Sequence, residues 1–192
     1  MDKVAVFGGS FDPVHNAHIQ IAELALSVFK LKKLIFVIAY MPPHKIRSYA
    51  NVQDRIKMLN IAIKGLKKTE ISLFEILRQE TVYSYETLNY FQDLYPEDEI
   101  YMIIGSDSLI ELPMWKNIDY LANKYKFMVA KRPGIEISKN TKYLDRTVFI
   151  DKEIKNISST KIRKLIKENS KNASFFLNDK VYNYIIKNKI YK

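Results

Sequence analysis

The sequence predicts an α/β protein: a doubly wound, mostly parallel sheet with helices on both faces. Three observations carry this. Apolar strand-like runs alternate with amphipathic helical runs along the chain. The loops of unusual composition, at 8–18, 40–45, 105–107 and 131–134, each follow an apolar strand run directly, and an open α/β sheet binds its ligands outside those strand ends. The 192 residues suffice for one such domain with a full core and are too few for two of ordinary size. Nothing resembling a linker, repeat or low-complexity block divides them. We read 1–192 as a single domain, with 157–192 as its C-terminal helical part.

The elements follow in order. Residues 4–7, Val-Ala-Val-Phe, form a buried strand, and Gly8 and Gly9 then supply backbone freedom and close approach at a tight turn. Pro13 closes that turn, and Ile19, Leu24, Ala25 and Val28 set a helix over about 17–29. Residues 33–39 are a second buried strand. Two prolines at 42 and 43 forbid helix in the loop that follows. Ile56, Leu59 and Ile63 mark a helix at 52–63, and 70–76 reads as a strand. Leu88, Phe91, Leu94 and Tyr95 line one side of a helix at 85–95, which Pro96 ends. Strands are expected at 100–104, 127–130 and 148–150, and helices at 118–124, 160–167 and 179–187.

Bulk properties narrow the function classes. The net charge is +10, but the excess is mostly lysine scattered among Asn, Ile and Tyr. A nucleic-acid surface more often shows clustered Arg with exposed aromatics. The charge therefore argues weakly for polyphosphate-bearing ligands and more weakly for nucleic acid. The chain has no Cys, hence no disulfide, thiolate nucleophile or thiolate metal site, which suits the cytoplasm. The longest apolar stretch, 34–41, is far short of a membrane span, and Gly8 and Gly9 interrupt any signal-peptide core. We expect neither a membrane nor a nucleic-acid partner.

Two stretches carry the chemistry. In the first, Gly8-Gly9-Ser10-Phe11-Asp12-Pro13-Val14-His15-Asn16-Ala17-His18, a strand, a Gly-rich turn and a helix start combine into an anion site of free N–H groups and a positive helix end. The three-residue spacing of His15 and His18 lets both imidazoles face the same ligand. An ordinary turn with surface histidines is the plain alternative. A zinc site is another, but no third ligand lies nearby and Cys is absent. In the second, Ile157-Ser158-Ser159-Thr160-Lys161-Ile162-Arg163, the hydroxyls can simply cap a helix. Three consecutive hydroxyls with Arg163 one turn further also suit phosphate oxygens.

Both stretches resemble signatures of the nucleotidyltransferase superfamily, G-G-x-F-D-P-x-H-x-G-H and I-S-S-T-x-I-R, with Ala17 where the first usually has Gly. The added methyl implies slightly tighter packing and no lost chemistry. Pro42-Pro43-His44-Lys45, Gly105-Ser106-Asp107 with Leu112-Pro113 and Trp115, and Lys131-Arg132-Pro133-Gly134 resemble loops of bacterial nicotinate mononucleotide adenylyltransferases. Residues 81–87, Thr-Val-Tyr-Ser-Tyr-Glu-Thr, are similar to that family's S-Y-T-x-D-T stretch but depart from it at Val82, Ser84 and Glu86. The resemblance covers residues 3–191.

The resemblance implies a Rossmann-like sheet and direct in-line transfer of the adenylyl group of ATP to nicotinate mononucleotide, releasing pyrophosphate. It implies His15, His18 and Arg163 as catalytic residues. The ATP site would comprise Gly8, Gly9, Ser10, Phe11, His15, His18, Gly105, Asp107, Ile157, Ser158, Ser159, Thr160 and Arg163. The mononucleotide site would comprise Lys45, Tyr83, Ser84, Thr87, Trp115, Lys116 and Arg132. Mg²⁺ would accompany ATP, held mainly by phosphates and water, with no protein metal cage. Three readings compete: nicotinamide mononucleotide as acceptor, phosphopantetheine as acceptor, and a non-catalytic basic nucleic-acid-binding protein. Oligomeric state stays open, a homo-oligomer included.

Overall fold

Residues 4–7 are apolar at every position, so the strand they form must be covered on both faces. In the computed structural model, which describes residues 1–41, 48–152 and 154–192, that strand is the centre of a parallel six-stranded sheet. The strands are β1 (Lys3–Gly9), β2 (Lys33–Ile38), β3 (Thr69–Ser72), β4 (Glu99–Gly105), β5 (Lys126–Ala130) and β6 (Thr147–Ile150). Their order is β3-β2-β1-β4-β5-β6, every pair parallel.

The helices are α1 (Asn16–Val28), α2 (Val52–Ile63), α3 (Phe74–Arg78), α4 (Ser84–Leu94), α5 (Ser106–Glu111), α6 (Ile118–Lys124), α7 (Ser159–Lys167) and α8 (Asp179–Lys187). Strand alternation divides the core in two. Ala5, Phe7, Leu34, Phe36, Tyr101 and Ile103 pack on one face with α1, α2, α7 and α8. Val4, Val6, Ile35, Val37, Ile100 and Met102 pack on the other with α4 and α6. The period of two sends neighbouring residues to opposite faces. Burying both faces is what makes the sheet doubly wound.

Three expectations change. β1 runs on through Gly8 and Gly9, which pair with Val37 and Ile38 of β2, so the turn begins after the glycines. The strand expected at 70–76 stops at Ser72, and the chain winds into α3. An apolar run of this length suits either element on pattern alone. Ser72 Oγ decides it locally by accepting the Phe74 N–H at 3.2 Å as the helix starts. The loop expected at 105–107 is instead the first turn of α5, with Gly105 just ahead of it. Among the described residues no helix is long and apolar enough to cross a membrane.

Candidate active site

β1 and β4 are neighbours at the middle of the sheet, and their crossovers leave in opposite directions, to β2 and to β5. Their C-terminal ends are therefore the topological switch point, where the chain diverges and leaves a crevice. A cleft of about 630 Å³ opens there, lined at the sheet by Gly8, Gly9, Ser10, Ile104, Gly105 and Asp107. Two of the glycines matter for space, since neither has a left-handed φ. A Cβ on Gly9 would lie 3.1 Å from the Phe11 ring, and one on Gly105 would collide with Asp107 Oδ1. The left-handed residue is Phe11, at φ 47°. Its ring turns into the core, edge-on to Phe7, Phe36 and His18. Phe11 thus supports His18 from below and does not line the cleft.

His15 sits just ahead of α1, and the two imidazoles stack with centroids 3.6 Å apart and planes 17° apart. The His15 backbone N–H donates to His18 Nδ1 at 3.2 Å. That bond assigns the proton of a neutral His18 to Nε2, making it a donor. His18 lines the cleft, and with His15, Ile157 and Arg132 it also lines a small adjoining recess. His15 is buried, and its Nδ1 has no partner among the described residues. Burial first, and the Arg132 charge second, pull its pKa down from 6.5 to about 3. The imidazole is neutral at physiological pH. The Ala17 methyl is buried and borders the same recess.

The far end of the cleft is made by Glu75, Val82, Tyr83, Ser84, Met114, Trp115 and Lys116. Trp115 is half-buried against the second core, and Lys116 Nζ lies 4.2 Å from the centroid of the Tyr83 ring. The Tyr83 N–H donates to Glu86 Oε2 at 3.0 Å, so this departure from the family pattern serves as a cap of α4. The first-turn N–H groups of Ser84 and Tyr85 have no intrahelical acceptor. Thr87 is buried and does not line the cleft. Its hydroxyl donates to Glu75 Oε1 at 2.8 Å, and it reaches the cleft only through that carboxyl. Glu75 is pushed up from 4.5 to about 7 by burial, against the Thr87 hydrogen bond and with the Glu86 charge adding to the rise. Arg132 is paired with Asp107 at 3.0 Å, and its N–H donates to Ser106 Oγ.

The second motif reaches the first directly. Ser158 Oγ caps α7 by accepting the Lys161 N–H. Ser159 Oγ donates to the Pro13 carbonyl at 2.9 Å, and Arg163 Nη1 donates to the Asp12 carbonyl at 2.8 Å. Arg163 Nη2 donates to Thr160 Oγ1. The plain capping role thus falls to Ser158, while Ser159 and Arg163 clamp the Asp12–Pro13 segment. Residues 158–163 flank this segment and do not line the cleft; Ile157 borders the recess.

The sequence profile of the cytidylyltransferase-like family matches residues 6–165. A probable nicotinate-nucleotide adenylyltransferase of Endomicrobium trichonymphae is 65% identical over 193 residues, covering all of both chains. One from Clostridium botulinum is 42% identical over 202 residues, again covering both chains completely. The chain belongs to the cytidylyltransferase-like family and, within it, to the nicotinate-nucleotide adenylyltransferases. Its fold matches that of a Plasmodium falciparum nicotinic acid mononucleotide adenylyltransferase complexed with NaAD, with a TM-score of 0.85, 21% identity, and coverage of 100% of this chain and 98% of that one.

Against this family frame, the cleft gathers Gly8, Gly9, Ser10, His18, Tyr83, Ser84, Gly105, Asp107, Trp115, Lys116 and Arg132. Lys45 and the rest of 42–47 lie outside the described residues. Arg132, assigned in sequence to the mononucleotide, stands between the cleft and the histidine recess. Glu75 was missed because it lies in the run read as strand. Only its position twelve residues before Thr87 offered a signal. Asp12 belongs to the first motif, which assigns it no role of its own, and Arg55 belongs to no motif. Arg55 is buried, and its Nη1 donates to the carbonyls of Ser10 at 3.0 Å and Ala39 at 2.7 Å. It fastens the C-terminal ends of β1 and β2 from below.

Proposed function

We propose that this enzyme transfers the adenylyl group of ATP to nicotinate mononucleotide, forming nicotinate adenine dinucleotide and pyrophosphate in NAD biosynthesis. One observation supports it above the others: a single cleft at the β1/β4 switch point has glycines and His18 at one end and Tyr83, Ser84 and Trp115 at the other. A phosphate oxygen of the mononucleotide attacks the α-phosphorus of ATP, and the bond to the pyrophosphate oxygen breaks. The attacking phosphate is already anionic, so the residues have positioning and charge neutralisation to supply. Neutral His18 donates from Nε2 to phosphate oxygens, and His15 stacks behind it. Gly8 and Gly9 permit close approach. Arg163 and Ser159 hold the Asp12–Pro13 segment, and so the turn that carries His15 and His18, in place. Arg132 exchanges Asp107 for substrate phosphate. At the far end Trp115 stacks on the pyridine ring, and the free N–H groups of Ser84 and Tyr85 take its carboxylate.

Mg²⁺ enters as part of the ATP substrate. Among the described residues no three His, Asp or Glu side chains converge as a metal cage. A cysteine-free chain suits the reducing cytoplasm. The test is pyrophosphate release from ATP with nicotinate mononucleotide, nicotinamide mononucleotide or phosphopantetheine as acceptor. The nicotinate form should give the highest kcat/KM. Preference for either other acceptor refutes the assignment, and release with none refutes adenylyl transfer to this class.

A further inference from the structure

Asp12 lies three residues before His15, yet its carboxylate faces away from the cleft into a buried junction. It is 4% exposed. Oδ2 accepts the Tyr49 N–H at 2.7 Å, and Oδ1 accepts the Ala50 N–H at 3.0 Å. Oδ1 also accepts the hydroxyl of Tyr191, 179 residues away, at 2.7 Å. The Asp12 carbonyl takes Arg163 Nη1 at 2.8 Å, and the same guanidinium lies 4.1 Å from the centroid of the Tyr49 ring. One residue therefore joins the histidine segment, the approach to α2, the Arg163 of α7 and the end of the chain.

We propose that Tyr191 is a positioning residue of the transfer site, acting through Asp12 to hold His15, His18 and Arg163 in register. The inference rests on the adenylyl-transfer reading. After α8 the chain turns back, with the Ile190 N–H donating to the Ile185 carbonyl. This brings the Tyr191 hydroxyl against Asp12 and within 4.0 Å of Met58 Sδ on α2. Burial and the Asp12 charge raise its pKa well above the ordinary range, so it stays a donor at any working pH. A buried carboxylate deprived of a donor is costly to leave as it is. It relaxes, carrying with it both Arg163, bonded to its own residue, and the segment leading to His15. Small displacements of groups that act on a transition state lower turnover disproportionately.

The test compares Tyr191→Phe with Tyr184→Phe. Tyr184 lies on the preceding helix and loses only a 2.8 Å bond to Asp54, so it reports loosened packing of α8 on α2 without touching Asp12. Tyr191→Phe should lower kcat about tenfold with both KM values within about twofold. Tyr184→Phe should leave kcat within twofold at a similar melting shift. In a double-mutant cycle, adding Tyr191→Phe to Asp12→Asn should cost no further turnover, since both act through one carboxylate. If Asp12→Asn does not fold, the two tyrosine variants decide alone. Unchanged kcat in Tyr191→Phe, equal losses in both tyrosine variants, or additive losses in the cycle overturn the proposal. A wild type that releases no pyrophosphate overturns the functional reading, and this inference with it.

Discussion

Beside the β1–α1 end of the cleft the buried ionisable group is the His15 imidazole, and at the α3–α4 end it is the Glu75 carboxyl. Burial acts on both and disfavours the charged form of each. His15 is held at about 3 and stays neutral at any working pH. Glu75 is held at about 7 and keeps its proton through mildly acidic conditions. The cations that face these ends, Arg132 and Lys116, are exposed. Burial thus biases His15 and Glu75 alike towards their neutral forms, while the positive charge beside them sits on exposed side chains. With the phosphates at the β1–α1 end, as proposed above, neutral donors would meet the approaching anions there. With the pyridine ring at the α3–α4 end, as proposed above, a protonated Glu75 would admit its carboxylate without repulsion.

Removing the donor at the phosphate end should have the largest effect. His18→Ala leaves a surface-facing gap beside Phe11, so circular dichroism and melting should remain near wild type. Turnover should fall about 10²- to 10³-fold, the usual cost of losing one preorganised donor at developing charge. Pyrophosphate release at a wild-type rate would remove His18 from the mechanism. At the opposite end, Trp115→Ala should raise the KM for the mononucleotide about tenfold, as loss of a stacking partner does, and leave the ATP KM within twofold. Equal rises for both substrates would make Trp115 a structural anchor and dissolve the division between the two ends.

A smaller effect reads Glu75 directly. As pH rises from 6 to 8 the carboxyl ionises and faces the incoming carboxylate along with Glu86. Arg78, 3.8 Å from Glu86, and Lys116 offset part of that charge. The KM for nicotinate mononucleotide should therefore rise several-fold across that interval. Glu75→Gln, still able to accept from Thr87, should flatten the profile while the ATP KM keeps its wild-type pH dependence. A profile unchanged by the substitution would mean that Glu75 does not face the bound acceptor.

The first motif was legible because its chemistry is contiguous: glycines, turn and histidines follow one another in eleven positions. The α/β class was legible for a similar reason, since period-two and period-3.6 patterns are local. Which strands are neighbours is not local, yet the β1/β4 switch point that creates the cleft depends on it. The strand ending at Ser72 was misjudged at its far end because Leu73, Phe74, Ile76 and Leu77 satisfy either pattern, and Glu75 went unnoticed inside them. Tyr191 belongs to no local motif; only the return of the chain over α2 brings it to Asp12. The second motif was read as a phosphate clamp or a helix cap, and its residues divide the work: Ser158 caps, while Ser159 and Arg163 bind the first motif.

The smallest predicted effect comes from the two ends acting together on stability. His15 has a folded pKa of about 3 against 6.5 when exposed, so between these values the unfolded chain binds more protons. Its contribution is complete above about 6.5 and is lost as pH falls towards 3. Glu75 has a folded pKa of about 7 against 4.5, so between those values the folded chain binds more protons. Its effect runs the other way: stability falls as pH rises through that window. The two windows overlap between about 4.5 and 6.5, where the slopes oppose, each limited to about 1.4 kcal/mol per pH unit. Wild-type unfolding free energy should therefore vary little with pH there on account of these two groups. Glu75→Gln removes one slope and exposes the other, so urea midpoints measured from pH 6.5 down to 5 should fall more steeply than in wild type. Parallel wild-type and variant curves would show that Glu75 does not hold its proton in the folded state, and with it the symmetry between the two ends would go.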